Sequence, residues 1–277
     1  RNNRLPMNIL LLTSHGLVWL AAILGVIRLK QQNPGSLRLF WIASASAAAT
    51  QLAWLLWAGI VYPYCVLFDA WGMLAVVVLA VLGICFASSR RFRSPRLAVG
   101  ALCLLAAAVA LGQLAFPRGV RPDPEQIDAL RSMHIFLMVI GYAVLMISCV
   151  TGVLFLTRSQ SLKSNDPLVD GLPWPALTSI DRFYMSSTGW GLLLIAAAIV
   201  LGVVGIPSAG RAADVWYVDP TVWLTLIGFG CYACGWLVRR SRGFCNRAVV
   251  VAGTMGFVCV ALAFFAGTLL HRGVHPY

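Results

Sequence analysis

Residues 70–93, AWGMLAVVVLAVLGICFASSRRFR, are an apolar run that ends in a cluster of arginines. A helix of about 20 apolar residues crosses the roughly 30 Å hydrocarbon core of a bilayer. Similar runs recur along the chain, which is 60% hydrophobic and only 11% charged. The alternating strands of about ten residues that build a transmembrane barrel are not found. The sequence therefore predicts an all-α, polytopic membrane protein.

Eight transmembrane helices are predicted, and residues 1–277 are expected to form a single integral-membrane domain. The predicted spans are 8–29, 39–61, 66–88, 97–116, 134–156, 184–205, 221–238 and 248–270. The connection 157–182 is expected to be an irregular interfacial loop, and 117–133 to contain a short surface helix.

Most of the 21 Lys and Arg residues lie in the connections 28–38, 89–96, 157–182 and 239–247. Basic residues in short loops mark the cytoplasmic side of a membrane protein. Both termini are therefore predicted to be extracytoplasmic, in a protein of the bacterial inner membrane. The same distribution explains the net charge of +12 through orientation and contact with the lipid bilayer. Nucleic acid is not an expected partner.

Three of the four histidines lie where predicted spans end on the extracytoplasmic side. His134 begins the fifth span, and His271 and His275 follow the eighth, four residues apart, a spacing that suits metal binding if the helix continues. An ordinary interfacial polar role is the alternative for all three. His15 differs because it lies roughly 10 Å into the first span, at about 1.5 Å per residue. A histidine at that depth marks a pathway or a cofactor, or is a neutral imidazole bonded across helices.

An aromatic segment, residues 216–223, lies at the same predicted face. It contains Trp216, Asp219 and Trp223. An aromatic shelf beside imidazoles at a lipid–water boundary suits an amphipathic, iron-bearing macrocycle such as haem. The alternatives are interfacial anchoring by the aromatic residues and capping of the seventh helix by Asp219, which precedes a proline. The mid-span pair Cys231 and Cys234 has redox spacing but is expected to be a pair of small apolar side chains.

In order along the chain, four stretches together resemble the cytochrome c assembly family of tryptophan-rich, haem-handling membrane proteins, which includes the CcsA and HemX types. Met133-His134 with Gly141-Tyr142-Ala143 resembles the histidine-bearing span that precedes the family signature. The other likenesses are Asp181-Arg-Phe-Tyr184 with its following span, Trp216-Tyr-Val-Asp219-Pro220 with Trp223, and Gly273-Val-His275-Pro-Tyr277. His15, in Thr13-Ser14-His15, resembles a histidine of the family's first span.

The resemblance implies that the chain binds non-covalent haem b and presents it at the extracytoplasmic face during c-type cytochrome biogenesis. His134 and His275 would be the axial iron ligands, with His271 as the alternative to His275. Trp216, Asp219 and Trp223 would line the site, and His15 would belong to a second, intramembrane site. The implied partners are a ResB/CcsB-like membrane protein and an apocytochrome c. No self-contained catalytic constellation is expected, so any enzymatic role would be as part of a haem-ligation complex.

The signature differs from the family pattern at three places. Val218 stands where a tryptophan is expected, Ala212-Ala213 where Trp-Gly is expected, and Arg182 where a histidine is expected. These differences indicate an alternative function. The chain would then be a HemX-like regulator or assembly factor of haem metabolism that does not bind haem robustly.

Overall fold

The structure is a computed structural model that describes residues 4–31, 34–61, 70–92, 95–115, 129–164, 174–205, 218–243 and 245–270. These residues form eight α-helices and, within the ranges just given, no strand. The helices are α1 Arg4–Gln31, α2 Pro34–Val61, α3 Ala70–Phe92, α4 Arg96–Ala115, α5 Ala129–Ser164, α6 Leu177–Gly205, α7 Pro220–Arg242 and α8 Arg247–Leu270.

Each of these helices contains an apolar segment between 19 and 35 residues long, enough by length and composition to cross a membrane. A span in lipid must satisfy its backbone hydrogen bonds internally, and a helix does so. The prediction of an all-α, polytopic protein with eight membrane-spanning helices is confirmed.

Helices that follow one another in sequence pack side by side in opposite directions. In α1 and α2, Ser14 contacts Gln51, and Gly25 lies against Phe40. In α5 and α6, Ser148 contacts Thr188. The helix ends therefore fall at two ends of the bundle. We call one the basic end, where α1, α3, α5 and α7 finish, and the other the histidine end, where those four helices begin.

Glycines allow α5 and α6 to approach closely. A Cβ at Gly141 would lie 2.7 Å from Ile195 Cγ1, and one at Gly191 would lie 2.8 Å from Leu145 Cγ. Real side chains do not tolerate such distances, so these positions admit the neighbouring helix only because they lack a side chain.

Hydrogen bonds across helices fix α5 against α7 inside the bundle. The hydroxyls of Tyr142 and Thr225 are 3.1 Å apart, and Tyr232 donates to the carbonyl of Leu145 at 2.8 Å. Polar groups inside a membrane need such partners because no water replaces them. The two contacts also show that α5 and α7 run parallel, so both begin at the histidine end.

At the basic end, an ion pair joins α6 to α7. Arg239 donates from Nε to Asp181 Oδ1 at 3.1 Å, and its Nη2 bonds Asp181 Oδ2. Cys245 is buried in the adjoining α7–α8 connection. Burial raises the pKa of the Cys245 thiol to about 12, so the thiol stays protonated and packs as an apolar side chain.

Two sequence predictions about connections are corrected. The segment 157–182 is not one irregular loop, because α5 continues to Ser164 and α6 begins at Leu177. Both helices extend beyond the span that a bilayer requires, and in α5 the extension includes the good helix formers Arg158, Gln160, Leu162 and Lys163. The fifth helix also begins earlier than predicted, at Ala129, so its first residues belong to a continuous helix and not to a separate surface segment. Residues 116–128 lie outside the described ranges.

Candidate functional site

His134 lies one turn inside α5 at the histidine end and faces α6. It does not begin its helix, as the sequence predicted, because α5 starts five residues earlier at Ala129. The ring is half-buried, and its Nδ1 lies 2.7 Å from the carbonyl oxygen of Ala198. A carbonyl can only accept a hydrogen bond, so Nδ1 carries the hydrogen in this contact. The neutral imidazole therefore has its lone pair on Nε2.

This hydrogen bond is the kind that orients histidines that bind metals. Such a histidine donates its second ring N–H to a carboxylate, carbonyl or water, which fixes the tautomer and the ring plane. Here the Ala198 carbonyl holds the ring from α6. The donor chemistry of His134 thus fits an axial ligand of haem iron through Nε2.

Gly202 provides the space that the His134 ring occupies. A Cβ at this position would lie 2.9 Å from Cε1 and 3.0 Å from Nδ1 of the ring. Gly202 follows Ala198 by about one helical turn, so the carbonyl and the vacant Cβ position form one surface of α6. The sequence alone did not indicate this contact between Gly202 and His134.

Asp219 is buried, with 4% of its surface exposed, and it caps α7. Its Oδ1 accepts from the backbone N–H of Thr221 at 2.8 Å and from the Thr221 hydroxyl at 2.7 Å. Pro220 occupies the first helical turn, where a missing N–H costs nothing. The capping role that the sequence left open is therefore present.

Trp223 lies about one turn into α7 and is 53% exposed. The Tyr142–Thr225 contact fixes its level relative to His134. Counted from that contact at about 1.5 Å per residue, His134 lies about 12 Å toward the histidine end along α5, and Asp219 about 9 Å along α7. The structure therefore places His134 and Asp219 at the same end and at similar depth. On the same count Trp223 lies about 3 Å along α7, on the same side of the contact but deeper in the bundle.

Three predicted site residues lie outside the described ranges. These are Trp216, His271 and His275. Their approach to His134 stays a prediction. Within the described part of the chain, no group of three or more His, Cys, Asp or Glu residues could hold a bare metal ion.

His15 occupies a different place, among α1, α3 and α4. It is 2% exposed, and Gln113 lies 2.8 Å from its Nδ1. Its ring centroid is 5.7 Å from that of Trp71. The Gln113 amide nitrogen can only donate, so Nδ1 accepts in this contact and the hydrogen of the neutral ring is on Nε2. Nε2 is buried and has no hydrogen-bond partner among the described residues. The expected imidazole bonded across helices is thus present on the Nδ1 side of the ring.

A second polar contact adjoins His15. Ser14 donates to Oε1 of the fully buried Gln51. Gln51 and Gln113 were missed as neighbours of this site, although a glutamine inside an apolar span was the signal that could have found them.

The fold and this end of the bundle define a polytopic membrane protein that presents an oriented imidazole, an aromatic side chain and a buried carboxylate near one membrane surface. A family model described as "Cytochrome C assembly protein" matches residues 66–275. The chain belongs to this family, as its sequence resemblance indicated.

Relatives of the chain share the name "Cytochrome c biogenesis protein CcsA". The one from Synechococcus sp. (strain CC9605) is 25% identical over 213 residues, which is 68% of this chain and 69% of the relative. The one from Pyropia yezoensis is 22% identical over 250 residues, 76% of this chain and 75% of the relative. The one from Synechococcus elongatus is 24% identical over 256 residues, with the same coverage. No solved structure matches the chain.

Proposed function

We propose that this protein binds non-covalent haem b at its histidine end and presents it during the biogenesis of c-type cytochromes. The relatives' names support the process, and the geometry of His134 supports the ligand. The observation that carries the proposal is the 2.7 Å contact between His134 Nδ1 and the Ala198 carbonyl. It leaves Nε2 as the atom with the coordinating lone pair, at the end of the bundle where the family signature lies.

Each residue at the histidine end has a distinct proposed role. His134 would bind one axial position of the iron, and His275, or His271 one turn before it, would bind the other. Trp216 and Trp223 would cover the porphyrin faces with aromatic surface. Asp219 fixes the start of α7 and thereby the position of Trp223. Haem supplies the iron and the groups that become attached to the cytochrome; the protein supplies orientation.

A second haem position at His15 is also proposed. The burial of this histidine inside an apolar helix supports it. Iron binding through Nε2 would require the Gln113 side chain to present its amide oxygen to an Nδ1–H group, the reverse of the present contact. This part of the proposal is independent of His134, because the two rings lie between different helices.

The partners and the location belong to the same proposal. We place the chain in the bacterial inner membrane as a single domain, with the basic end in the cytosol, beside a ResB/CcsB-like membrane protein. The substrate of that assembly would be an apocytochrome c. The chain alone is not proposed to catalyse the attachment.

Absorption spectra of the detergent-purified protein test the ligand assignment. We expect a Soret band in the wild type that is strongly reduced or shifted in His134→Ala and in His275→Ala. His134→Gly should regain the wild-type spectrum when imidazole is added, since free imidazole can replace a missing ligand but not a missing packing contact. Trp190→Ala is the control, since Trp190 is an exposed residue of α6 that belongs to neither proposed haem position, and it should leave the spectrum unchanged. Unchanged bis-imidazole spectra in both His134→Ala and His275→Ala would contradict the proposal.

The alternative function is a HemX-like regulator or assembly factor without robust haem binding. The capping contacts of Asp219 favour this alternative. Asp219 belongs to the family signature, and these contacts account for its buried carboxylate without a bound cofactor. A folded wild-type protein that shows no Soret band after reconstitution with haem would establish this alternative over the first.

A further inference from the structure

The basic end holds a group of three arginines and one tryptophan, and two of the arginines lie over the tryptophan ring. We call it the arginine cluster, and it consists of Arg28 in the last turn of α1, Arg96 at the start of α4, Arg158 in α5, and Trp174. None of these residues belongs to the candidate haem site, which lies at the opposite end of the bundle.

Helix register brings Arg28 beside Arg96. Gly25 of α1 packs so closely on α4 that a Cβ there would lie 2.8 Å from Val99 Cγ2. The His15–Gln113 contact shows that α1 and α4 run in opposite directions. One turn beyond Gly25 in α1 is Arg28, and one turn before Val99 in α4 is Arg96. The two arginines therefore lie next to each other across the α1–α4 interface.

Trp174 joins Arg96 to Arg158. The Cζ of Arg96 lies 3.6 Å from the centroid of the tryptophan ring, and that of Arg158 lies 5.5 Å from it. Both distances are within the range of cation–π attraction. Such stacking holds the two guanidinium groups close together at one level of the bundle.

Arg28 lacks the acceptors that a buried guanidinium needs. Its Nε and Nη1 atoms are buried and have no hydrogen-bond partner in the part of the chain that the structure describes. A guanidinium is permanently charged, and burying charged N–H groups without a partner is costly. The described carboxylates are engaged elsewhere: Asp181 binds Arg239, and Asp219 caps α7 at the other end. The first turn of α4 has no acidic residue either, although a helix start attracts negative charge.

From these observations we propose that the arginine cluster is a binding site for the phosphate group of an anionic membrane lipid. The site lies where four helices end, which is the level of the lipid headgroups, and Trp174 is the residue type enriched at that level. Phosphate oxygens match the paired N–H groups of arginine. Arg28 is the central residue because two of its guanidinium nitrogens, Nε and Nη1, are buried with no acceptor among the described residues.

A carboxylate of haem does not fit the same position. Along α5, Arg158 lies about 36 Å from His134, at about 1.5 Å per residue. Along α1, Arg28 lies about 20 Å from His15 on the same basis. A haem held by either histidine would leave its carboxylates far from the cluster. The lipid site is thus independent of the proposed haem function, and each can fail without the other.

Lipid titration of the full-length protein in detergent, followed by native mass spectrometry, tests the proposal. The probes are phosphatidylglycerol, the zwitterionic phosphatidylcholine, and inorganic phosphate. We expect selective binding of phosphatidylglycerol by the wild type, weakened about tenfold or more in Arg28→Gln, because a charge-assisted hydrogen-bonding pair is lost. Binding of phosphatidylcholine should be weak and unaffected.

Arg242→Gln is the matched control, since Arg242 is an exposed arginine at the same end and its replacement removes the same charge. It should bind phosphatidylglycerol like the wild type. Arg28→Lys keeps the charge without the paired N–H groups, and an intermediate affinity supports the proposal even if the Gln variant does not fold. Equal losses in Arg28→Gln and Arg242→Gln would show general charge attraction and overturn the site. Phosphate binding as tight as lipid binding would overturn the lipid as ligand.

Discussion

At the scale of single residues, the orientation of His134 depends on two features of α6. The Ala198 carbonyl fixes the tautomer, and the missing side chain at Gly202 leaves room for the ring. Neither the carbonyl nor the space at Gly202 is proposed to bind haem. Both set the position of the His134 ring. Their loss should therefore change the geometry of the proposed His134–iron contact more than it changes the fold.

Gly202→Ala tests this positioning role. A Cβ 2.9 Å from His134 Cε1 must displace the ring, which lengthens its hydrogen bond to Ala198. We expect haem affinity, measured by titration of the Soret band, to fall about tenfold or more, as for other losses of a ligand's supporting hydrogen bond. Gly205→Ala is the control, since a Cβ there has nothing within 4 Å. Equal affinities of the two variants would contradict the role assigned to Gly202.

At the scale of helices, the start of α7 shows how one side chain can serve the element and the site together. Asp219 satisfies the Thr221 N–H, and Pro220 provides a backbone already shaped for the first turn. At the other end of α7, Gly243 takes the left-handed conformation with φ of 77° and donates its N–H to the Arg239 carbonyl. Both ends of the helix are therefore fixed by local sequence.

Substitutions of Asp219 separate capping from a role of its charge. Asp219→Ala should lower the free energy of unfolding by about 1 kcal/mol, because a helix N–H loses its acceptor. Asp219→Ser retains a capping oxygen and should stay within about 0.5 kcal/mol of the wild type. Thermal unfolding in detergent measures both. If Asp219→Ser is as stable as the wild type yet loses haem, the carboxylate acts on the site directly; if it is as unstable as Asp219→Ala, the cap assignment is wrong.

The elements could be predicted from sequence to different extents. Hydrophobic length predicted all eight helices, since a bilayer demands about 20 apolar residues whatever the packing. It could not predict that α5 continues to Ser164, because helix outside the bilayer depends on propensity and contacts and not on hydropathy. The Asp219-Pro220 pair predicted a cap because capping is local. The Ala198 carbonyl was not predictable as the partner of His134, since the contact depends on the register between helices distant in sequence. Gln113 could be recognised as a polar residue in an apolar span, but its pairing with His15 depends on the same kind of register.

At the scale of the whole molecule, the candidate functional groups lie at two opposite ends of the bundle. The histidine end carries His134, Asp219 and Trp223, and the basic end carries the Asp181–Arg239 ion pair and the arginine cluster. The hydrogen bonds of α5 to α6 and α7 connect the ends through a rigid, glycine-lined core. Such a bundle can hold a large ligand at one surface while its charges fix its position in the membrane at the other.

The charge difference between the two ends predicts the orientation of the protein in the membrane. Short loops at the basic end are rich in Lys and Arg, so the basic end should face the cytosol. The histidine end should then face the extracytoplasmic side. Alkaline phosphatase, which is active only outside the cytosol, should be active when fused after Leu270 and inactive when fused after Gly243. Green fluorescent protein should give the reverse pattern at the same two positions.

Replacing Arg239, Arg240 and Arg242 with Gln should weaken the cytosolic preference of a fusion at Gly243 without reversing it, because the other basic connections remain. A fluorescent fusion after Leu270 in the wild type would contradict this orientation, and with it the placement of His134 and haem presentation on the extracytoplasmic side.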